Sequence, residues 1–173
     1  MKLYHVSEES DINQFIPRLP SKKDLNQNIG LVWALCERTL PNFLTPRNCP
    51  RVTCHVGDNT VKAYIKKYMS HGYRHAVIIE NEWHERLKST TLYIYEFDAG
   101  GFYLQDECAG YYVSEKVQNP IAVHIVNDLV FELEKLNTAL LTRDNLWDIA
   151  DEIKTTSLNW SICRMGFAKE RDK

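Results

Sequence analysis

The sequence predicts an α+β fold with a mixed, mostly antiparallel sheet and peripheral helices. Short strand-like segments outnumber helical ones along the 173 residues. The helical segments lie among them without the strict alternation of strand and helix that accompanies a parallel sheet. A tight turn at Ala99–Gly101 leads directly into a short returning strand, as in an antiparallel hairpin. These three observations favour the α+β class over a regular β-α-β architecture.

The first half of the chain predicts strands separated by a loop and two helices. Lys2–Val6 carries large side chains on both faces, so we expect a central rather than an edge strand. Pro17–Gly30 is polar and is predicted to be a long loop. Leu31–Cys36 is a continuous apolar run typical of a buried strand. The remaining predicted elements are a short helix with Pro41 near its first turn, a strand over Val52–Val56, a helix capped by Asp58 and stopped at Gly72, and a strand over His75–Glu80.

The second half continues the same alternation of short elements. Thr91–Phe97 alternates in side-chain type and predicts a strand. The chain beyond Phe167 is charged and is expected to fray. The other predicted elements are helical turns over Asn81–Leu87, strands over Phe102–Leu104, Ile121–Val126 and Ala139–Leu141, a helix over Asp128–Leu136, and a last helix that starts near Asp144 or Asn145 and buries Leu146, Ile149, Ile153 and Leu158.

Length and composition indicate a single soluble α+β domain over residues 1–173. Hydrophobic residues make up 44% and charged residues 25%, as in ordinary globular proteins. The 21 basic and 23 acidic residues give a net charge of −2, which offers no electrostatic argument for binding nucleic acid or an anionic membrane. No apolar run approaches the roughly 20 residues of a membrane helix. We therefore expect no membrane partner and a cytoplasmic location, and the oligomeric state is left open.

The five cysteines are odd in number and none are spaced C-x-x-C, so we expect reduced thiols. Cys49, Cys54 and His55 are close in sequence. Residues 54 and 55 point to opposite faces of a strand, so we predict no metal site. A cysteine–histidine pair for nucleophilic catalysis, formed by Cys49 or Cys54 with His5, His55 or His75, stays open, although inert buried cysteines are far more common.

The least generic stretch is Phe43–Val56, FLTPRNCPRVTCHV. Pro46 and Pro50 each fix their own φ and favour an extended residue before them, so the segment should be stiff. Arg47 and Arg51 would then project from defined places and could clamp a phosphate or carboxylate. The alternative is a surface loop whose arginines pair with local acids.

Three motifs resemble a small uncharacterised bacterial domain family. They are the opening M-K-L-Y-H-V-S-E, the central T-P-R-N-C-P-R-V, and A-G-Y-Y-V-S with a following proline. Members of that family open with Met-basic-Leu-Tyr-His-x-Ser-Glu and carry proline-Arg-x-Cys-Pro-Arg. The likeness covers most of the chain, but the family has no activity to carry over.

A more distant resemblance is to ADP-ribosyltransferase-type folds. Leu3–Ser7 is similar to their first strand, which holds a histidine, and Gly30–Ala34 to the second, which holds an aromatic residue. Asn42–Phe43 is similar to the end of a helix, and Gly110–Val113 to the late strand of those enzymes. The resemblance implies that His5 hydrogen-bonds a nucleotide ribose or amide. It also implies that Trp33 and Phe43 stand where a nicotinamide stacks, with NAD or ADP-ribose as ligand.

The chain departs from those enzymes at the catalytic glutamate. Gly110 or Tyr111 stands at its position, and the nearby acids Asp106, Glu107 and Glu115 do not match. That glutamate binds a ribose hydroxyl and stabilises the cation that develops at the sugar carbon. Whether any reaction is catalysed, and by which residues, is therefore left open.

These observations predict a cleft for a nucleotide-like or other anionic small molecule, and the resemblance implies a degenerate ADP-ribosyltransferase-like protein. The arginines would bind the anion and the aromatic residues would stack on the ligand. The alternative is a non-catalytic regulatory or protein-interaction domain that binds a partner through exposed aromatic residues. The candidate ligand-binding residues are His5, Trp33, Phe43, Arg47, Arg51, Tyr111 and Tyr112.

Overall fold

The computed structural model describes residues 1–20, 26–69 and 72–171. The chain divides into two compact units, each built from two separated segments. The first unit comprises Met1–Leu40 and Leu92–Val126, and the second comprises Pro41–Thr91 and Asn127–Lys173. The predicted loop over Pro17–Gly30 lies partly outside the described residues, because residues 21–25 are not among them. The expectation of one domain over residues 1–173 stays a prediction.

The order of elements is that of an α+β protein, as predicted. The strands are β1 Lys2–Ser7, β2 Val32–Cys36, β3 Arg51–His55, β4 His75–Glu80, β5 Leu92–Asp98, β6 Tyr103–Asp106, β7 Tyr111–Ser114, β8 Ala122–Val126, β9 Thr138–Arg143 and β10 Asn159–Cys163. The α-helices are α1 Lys62–Tyr68, α2 His84–Ser89, α3 Leu129–Lys135 and α4 Trp147–Ile153. Short 3-10 helices cover Glu37–Phe43, Asn81–Trp83 and Met165–Phe167.

The first unit is built on a six-stranded sheet in the order β6-β7-β2-β1-β5-β8. All of its strand pairs are antiparallel. β1 lies between β2 and β5, which confirms the prediction of a central strand. The buried cluster of this unit consists of Leu3, Ala34, Tyr95 and Phe97.

The segment that follows β1 lies across this cluster. The Phe15 ring contacts Tyr95 and Phe97 edge-on, with centroids 5.2 and 5.0 Å away. The Tyr95 hydroxyl accepts a hydrogen bond from the Ile12 N–H at 3.1 Å and donates to the Glu9 carbonyl at 2.6 Å. Residues 9–15 are therefore fixed to the sheet by both apolar and polar contacts.

The second unit is built on a four-stranded sheet in the order β10-β3-β4-β9. β4 and β9 run parallel, and the other pairs are antiparallel, so the fold is mixed but mostly antiparallel as predicted. One sheet face packs against α1 and α4 in the largest core cluster. Its fully or nearly fully buried members include Val52, Cys54, Ala76, Ile78, Tyr68, Met69, Leu146, Ile149 and Ile153.

Three local predictions are wrong. Asp58 does not cap a helix, because α1 begins only at Lys62 and its N-cap is Val61. The last helix ends at Ile153, so Leu158 is buried outside it, and β10 follows without having been predicted. Residues 168–171 are not frayed, since main-chain and side-chain groups of residues 169–171 are hydrogen-bonded to other residues of the second unit, and the last two residues of the predicted tail lie outside the described residues.

Among the described helices, none has the length and apolar composition needed to cross a membrane.

Candidate functional site

His5 on β1 has the most specific polar geometry of the predicted site residues. Its Nδ1 lies 2.9 Å from the main-chain oxygen of Trp33. Because a carbonyl oxygen only accepts hydrogen bonds, Nδ1 carries the proton. In the neutral ring Nε2 then presents a lone pair, and no described residue is hydrogen-bonded to that atom. His5 can thus accept one hydrogen bond from an outside donor.

The surroundings of His5 keep the ring neutral. Burial lowers the pKa of His5, and the hydrogen bond to the Trp33 carbonyl opposes this only in part. The positive charge of Arg18 lowers the pKa further, while the negative charge of Glu9 raises it. The Phe15 ring lies against the imidazole, with centroids 4.8 Å apart. At neutral pH the group is therefore an acceptor at Nε2 rather than a cation.

Arg18 belongs to this site and was not among the predicted residues. Its main chain forms a short bridge with Leu31, with Arg18 N–H donating to the Leu31 carbonyl at 3.1 Å and Leu31 N–H donating back at 2.9 Å. The residue is exposed, and its charge acts on His5. A sequence signal exists, because Pro17-Arg18 repeats the proline–arginine pattern of Pro46-Arg47 and Pro50-Arg51.

Trp33 lies on the opposite face of the first sheet from His5. Tyr4 pairs with Leu35, and successive side chains of a strand point to opposite faces, so Trp33 shares the face of Tyr4. The Tyr111 ring meets Trp33 edge-on at 5.6 Å. Tyr112 pairs with Ala34 and packs against the cluster around Leu3, on the face of His5. The four predicted residues are neighbours in the sheet, but the side chains of His5 and Tyr112 lie on one face and those of Trp33 and Tyr111 on the other.

The proline-bracketed turn of the second unit has a defined conformation. The Cys49 N–H donates to the Pro46 carbonyl at 3.0 Å, and Asn48 has a φ of 66°. A positive φ at the third position is the mark of a type II turn, in which asparagine is tolerated after glycine. Arg47 stands exposed at the second position of this turn.

Arg51 is buried and braces its own segment. Its Nε donates to the Asn42 carbonyl at 2.6 Å, and its Nη1 donates to the Cys49 carbonyl at 3.0 Å. The guanidinium carbon lies 4.9 Å from the centre of the Phe43 ring, a cation–π distance. Arg51 and Phe43 therefore contact each other in the arrangement seen here. That either residue binds a ligand stays a prediction.

A cluster of buried polar side chains continues from Arg51 along β3 and β4. The Asn42 side-chain oxygen lies 2.6 Å from Nε2 of His75. His75 pairs with His55 across the strands, and their rings stack with centroids 5.2 Å apart. All three residues are buried. The main-chain carbonyl of Asn42 thus binds Arg51, and the side chain of Asn42 binds His75, which stacks on His55.

Gly110 is one of the two positions, with Tyr111, at which the resemblance would place the transferase glutamate, and it has little room for a side chain. Gly110 has a φ of 66°, and a Cβ built there would lie 2.5 Å from Thr39 Oγ1 and 2.6 Å from Cys36 Sγ. The adjoining acid, Glu115, accepts a hydrogen bond from the Tyr103 hydroxyl at 3.1 Å. A side chain at position 110 would therefore require the Thr39 or Cys36 side chain to shift.

Glu96 is a buried acid of the same unit. Lys2 Nζ lies 2.8 Å from its Oε1, and His124 Nε2 lies 3.0 Å from its Oε2. The hydrogen bond from Lys2 and then that from His124 lower the pKa of Glu96. The carboxylate is ionised and engaged at both oxygens by its own sheet.

A cavity of about 510 Å³ lies at the start of β1 and the end of β2. Its two cationic side chains already have partners, since Lys2 pairs with Glu96 and Arg38 donates to the Glu107 carbonyl at 2.6 Å. None of the predicted site residues lines it. The lining residues are Met1, Lys2, Tyr4, Cys36, Glu37 and Arg38.

Cys49 and Cys54 of the second unit are buried and are not activated thiols. All five lie in the described part of the chain, and none of them forms a disulfide. Burial raises the pKa of both Cys49 and Cys54 to about 12, so these thiols stay protonated at neutral pH. Within residues 1–20, 26–69 and 72–171, no group of three or more His, Cys, Asp or Glu side chains could hold a metal ion.

The predicted site residues fall into two groups. His5, Trp33, Tyr111 and Tyr112 belong to the first unit, whereas Phe43, Arg47 and Arg51 belong to the second. Within the first group the hydrogen bond of His5 to Trp33 and the ring contact of Trp33 with Tyr111 are formed. The predicted cleft, which drew on both groups, stays a prediction.

No curated protein and no solved structure matches the chain. One family model does match it, over residues 4–168, which include His5, the proline–arginine turn and all ten strands except the first two residues of β1. This agrees with the uncharacterised domain family that the opening and central motifs resemble. The chain belongs to that matched family, a family of unknown function designated DUF6886.

Proposed function

We propose that this chain binds a nucleotide-like, anionic small molecule at a site in the first unit organised around His5. The observation that carries the proposal is the hydrogen bond from His5 Nδ1 to the Trp33 carbonyl, which turns Nε2 into an acceptor. The His5 ring is half-buried, and a ligand hydroxyl or amide N–H that reaches Nε2 would gain one hydrogen bond there.

The class of ligand follows from the two kinds of group at the site. His5 Nε2 accepts a hydrogen bond, as a ribose hydroxyl would offer. Arg18 is exposed, is permanently charged, and suits a phosphate. A sugar phosphate or nucleotide presents a hydroxyl and an anion a few ångströms apart. NAD and ADP-ribose are the first candidates because of the resemblance to ADP-ribosyltransferase-type folds.

The proposal is for binding without transfer of ADP-ribose. Neither position that the resemblance offers for the transferase glutamate holds one: a Cβ at Gly110 would lie within 2.6 Å of Thr39 and Cys36, and position 111 is a tyrosine. Without that carboxylate the developing positive charge of the transition state loses its main stabilising partner. A degenerate, ligand-binding relative of such enzymes fits both the resemblance and this departure.

A thermal-shift screen tests the proposal, since a ligand that binds the folded protein raises its Tm. The panel contains NAD, ADP-ribose, AMP, ribose 5-phosphate and adenosine. We expect shifts from the phosphorylated members and a smaller shift, or none, from adenosine. The ligand that gives the largest shift is then titrated by calorimetry against variants.

Two variants locate the site. In His5→Asn the amide nitrogen replaces Nδ1 and keeps the donor to Trp33, but the acceptor at Nε2 is lost. We expect a loss of about three- to tenfold in affinity for one neutral hydrogen bond. Arg18→Ala removes a charged partner and should cost about ten- to a hundredfold.

Matched controls separate this site from nonspecific charge effects. Arg143→Ala removes an exposed arginine of the second unit and should leave the affinity unchanged. Arg47→Ala tests the predicted clamp separately. The proposal fails if no phosphorylated member shifts the Tm, or if His5→Asn and Arg18→Ala bind as tightly as the wild type.

A second candidate function, as a protein-interaction domain, has one observation in its favour. β8 is an edge strand of the first sheet; Val123 and Ile125 on one of its faces are 43% and 62% exposed, and Ile121 just before it is 63% exposed. An edge strand without charged residues on its open face can pair with an extended segment of a partner. If Val123→Lys abolishes self-association or partner capture by the purified chain, this function is favoured. If the chain is monomeric and unchanged by that substitution, it is not.

A further inference from the structure

The C-terminal strap, defined as residues Ala168–Arg171, is held by side chains of the second unit through its main chain. The buried Glu80 carboxylate accepts the Lys169 N–H, with oxygens at 3.1 and 3.3 Å. Trp147 Nε1 donates to the Lys169 carbonyl at 2.8 Å, and Asn145 Nδ2 donates to the Glu170 carbonyl at 2.9 Å. Three main-chain groups of two consecutive residues are therefore recognised by three side chains that lie far from them in the sequence.

Two side chains of the strap form ion pairs, and both add sequence specificity. Lys169 Nζ lies 3.8 Å from the Glu82 carboxylate, and Arg171 makes the closer contact. Arg171 Nη1 lies 2.7 Å from the Asp151 carboxylate, and the guanidinium carbon lies 4.8 Å from the Trp147 ring centre. Trp147 and Asp151 are four residues apart on α4 and so lie on one face of the helix. The strap is thus recognised as an extended segment that ends in arginine.

The groups that hold the strap are also positioned independently of it. Asn145 Oδ1 accepts the Trp147 N–H at 2.9 Å, which leaves the amide nitrogen pointing to the strap. Glu80 also accepts the main-chain N–H of Leu146, and burial raises the pKa of Glu80. These contacts do not involve the strap, so we expect them to persist when the strap leaves. The binding groove, formed by Glu80, Asn145, Trp147 and Asp151, is therefore preformed.

The chain that leads into the strap has few contacts to prevent its release. Ala168 is extended, with φ −74° and ψ 160°, directly after the 3-10 turn Met165–Phe167. A Cβ built on Gly166 would meet no atom within 4 Å, so the turn is open to solvent at that point. Displacement of the strap requires rotation at this turn and no unpacking of a helix or strand.

We propose that the groove is a docking site for an extended peptide of a partner protein with a basic residue at the position of Arg171, and that the strap is its built-in competitor. Main-chain hydrogen bonds supply a sequence-tolerant part of the affinity, and the Asp151–Trp147 pair selects arginine. Because the strap is tethered, it competes at an effective concentration of order millimolar. Only a partner that outcompetes the strap, or a change that weakens it, opens the groove.

The test uses the full chain with Arg171→Glu, which places an acid against Asp151 and removes the cation from Trp147. The probe is the acetylated peptide Ala-Lys-Glu-Arg-Asp-Lys, the sequence of residues 168–173. The NMR signal of the Trp147 indole N–H, assigned with Trp147→Phe, reports the hydrogen bond to the strap or to the peptide. We expect this signal to move in Arg171→Glu and to return to its wild-type position as the peptide is added.

Controls fix the specificity. The wild-type chain should not respond to micromolar peptide, because its own strap fills the groove. The peptide with alanine in place of arginine should bind Arg171→Glu about tenfold more weakly or worse. Adding Asp151→Arg to Arg171→Glu restores an ion pair of reversed sign, so the strap should close again and the wild-type peptide should no longer bind.

The proposal is overturned if the indole signal of Arg171→Glu equals that of the wild type, since the strap then does not detach. It is also overturned if the signal moves but the peptide does not restore it. Concentration-dependent dimerisation of the wild type that Arg171→Glu abolishes would assign the groove to the strap of a second copy instead.

Discussion

Substitution of Gly110 by alanine is expected to destabilise the protein far more than the same substitution at Gly72. Both glycines have a positive φ, 66° and 90°. An L-residue with a side chain pays roughly 1–2 kcal/mol for such a conformation. That cost is common to both variants. It is the whole expected effect at Gly72, where a Cβ would meet no atom within 4 Å.

At Gly110 a steric cost adds to the conformational one. The new Cβ would lie 2.5 Å from Thr39 Oγ1, 2.9 Å from Thr39 Cγ2 and 2.6 Å from Cys36 Sγ. Thr39 is fully buried, so it cannot rotate into solvent to make room. Overpacking of this kind costs about 1–3 kcal/mol. We therefore expect about 2–5 kcal/mol for Gly110→Ala and about 1–2 kcal/mol for Gly72→Ala.

Urea denaturation followed by far-UV circular dichroism measures both variants against the wild type. A double-mutant cycle identifies the cause, because Thr39→Ala removes two of the three overlapping atoms. Gly110→Ala should then cost less in the Thr39→Ala background than in the wild type. Equal losses for the two glycine variants, or no relief from Thr39→Ala, would refute the packing argument and would reopen the position to a side chain.

Substitutions at three further positions test the second unit. Asn48→Ala should cost about 1 kcal/mol and Asn48→Gly almost nothing, because only the φ of 66° is at stake; equal losses in urea denaturation would point to the asparagine side chain instead. Arg51→Ala should cost about 3 kcal/mol or more, since two buried carbonyls lose charged donors and Phe43 loses its cation; an unchanged stability would return Arg51 to the list of ligand residues. Burial raises the pKa of Glu80 in the folded protein above its pKa in the unfolded chain. Protonated Glu80 therefore contributes its full share to the free energy of unfolding below the unfolded-state pKa, and this contribution is lost as the pH rises through the folded-state pKa. The Tm of Glu80→Gln minus that of the wild type should therefore increase from about pH 4 to about pH 8, and a flat or falling difference would contradict this.

The local sequence pattern predicted those elements in which the type of every side chain indicates burial. The run Leu31–Cys36 and the two-faced strand Lys2–Val6 are apolar or large at every position, which only a buried strand explains. β10 was missed because Asn159–Cys163 mixes polar and apolar residues and is formed by pairing with β3, about a hundred residues earlier. Such a strand depends on tertiary context that no local window contains.

The strap was missed for a related reason. Its composition is charged, which is typical of a frayed tail. What fixes it are main-chain groups, which every residue possesses and which no sequence pattern displays. Glu80 lies 89 positions from Lys169, and Trp147 lies 22. The local sequence offers only Arg171 within a charged segment, and such a segment does not show whether the arginine is paired with an acid or solvated.

The face on which each candidate side chain lies could not be derived before the strand register was known. Sequence alternation places His5 opposite Tyr4 on one strand and Trp33 opposite Ala34 on the next. Alternation alone does not show whether His5 shares a face with Trp33 or with Ala34, because a shift of one residue in the strand register exchanges the two arrangements. The pairing of Tyr4 with Leu35 settles it and separates His5 from Trp33. What joins the two residues is a main-chain oxygen, so Trp33 orients the imidazole through an atom that any residue at position 33 would supply. Replacement of Trp33 by another strand-forming residue should therefore leave the tautomer of His5 unchanged. A loss of ligand affinity in Trp33→Val, with the His5 ring NMR signals unmoved, would assign the indole itself to ligand binding.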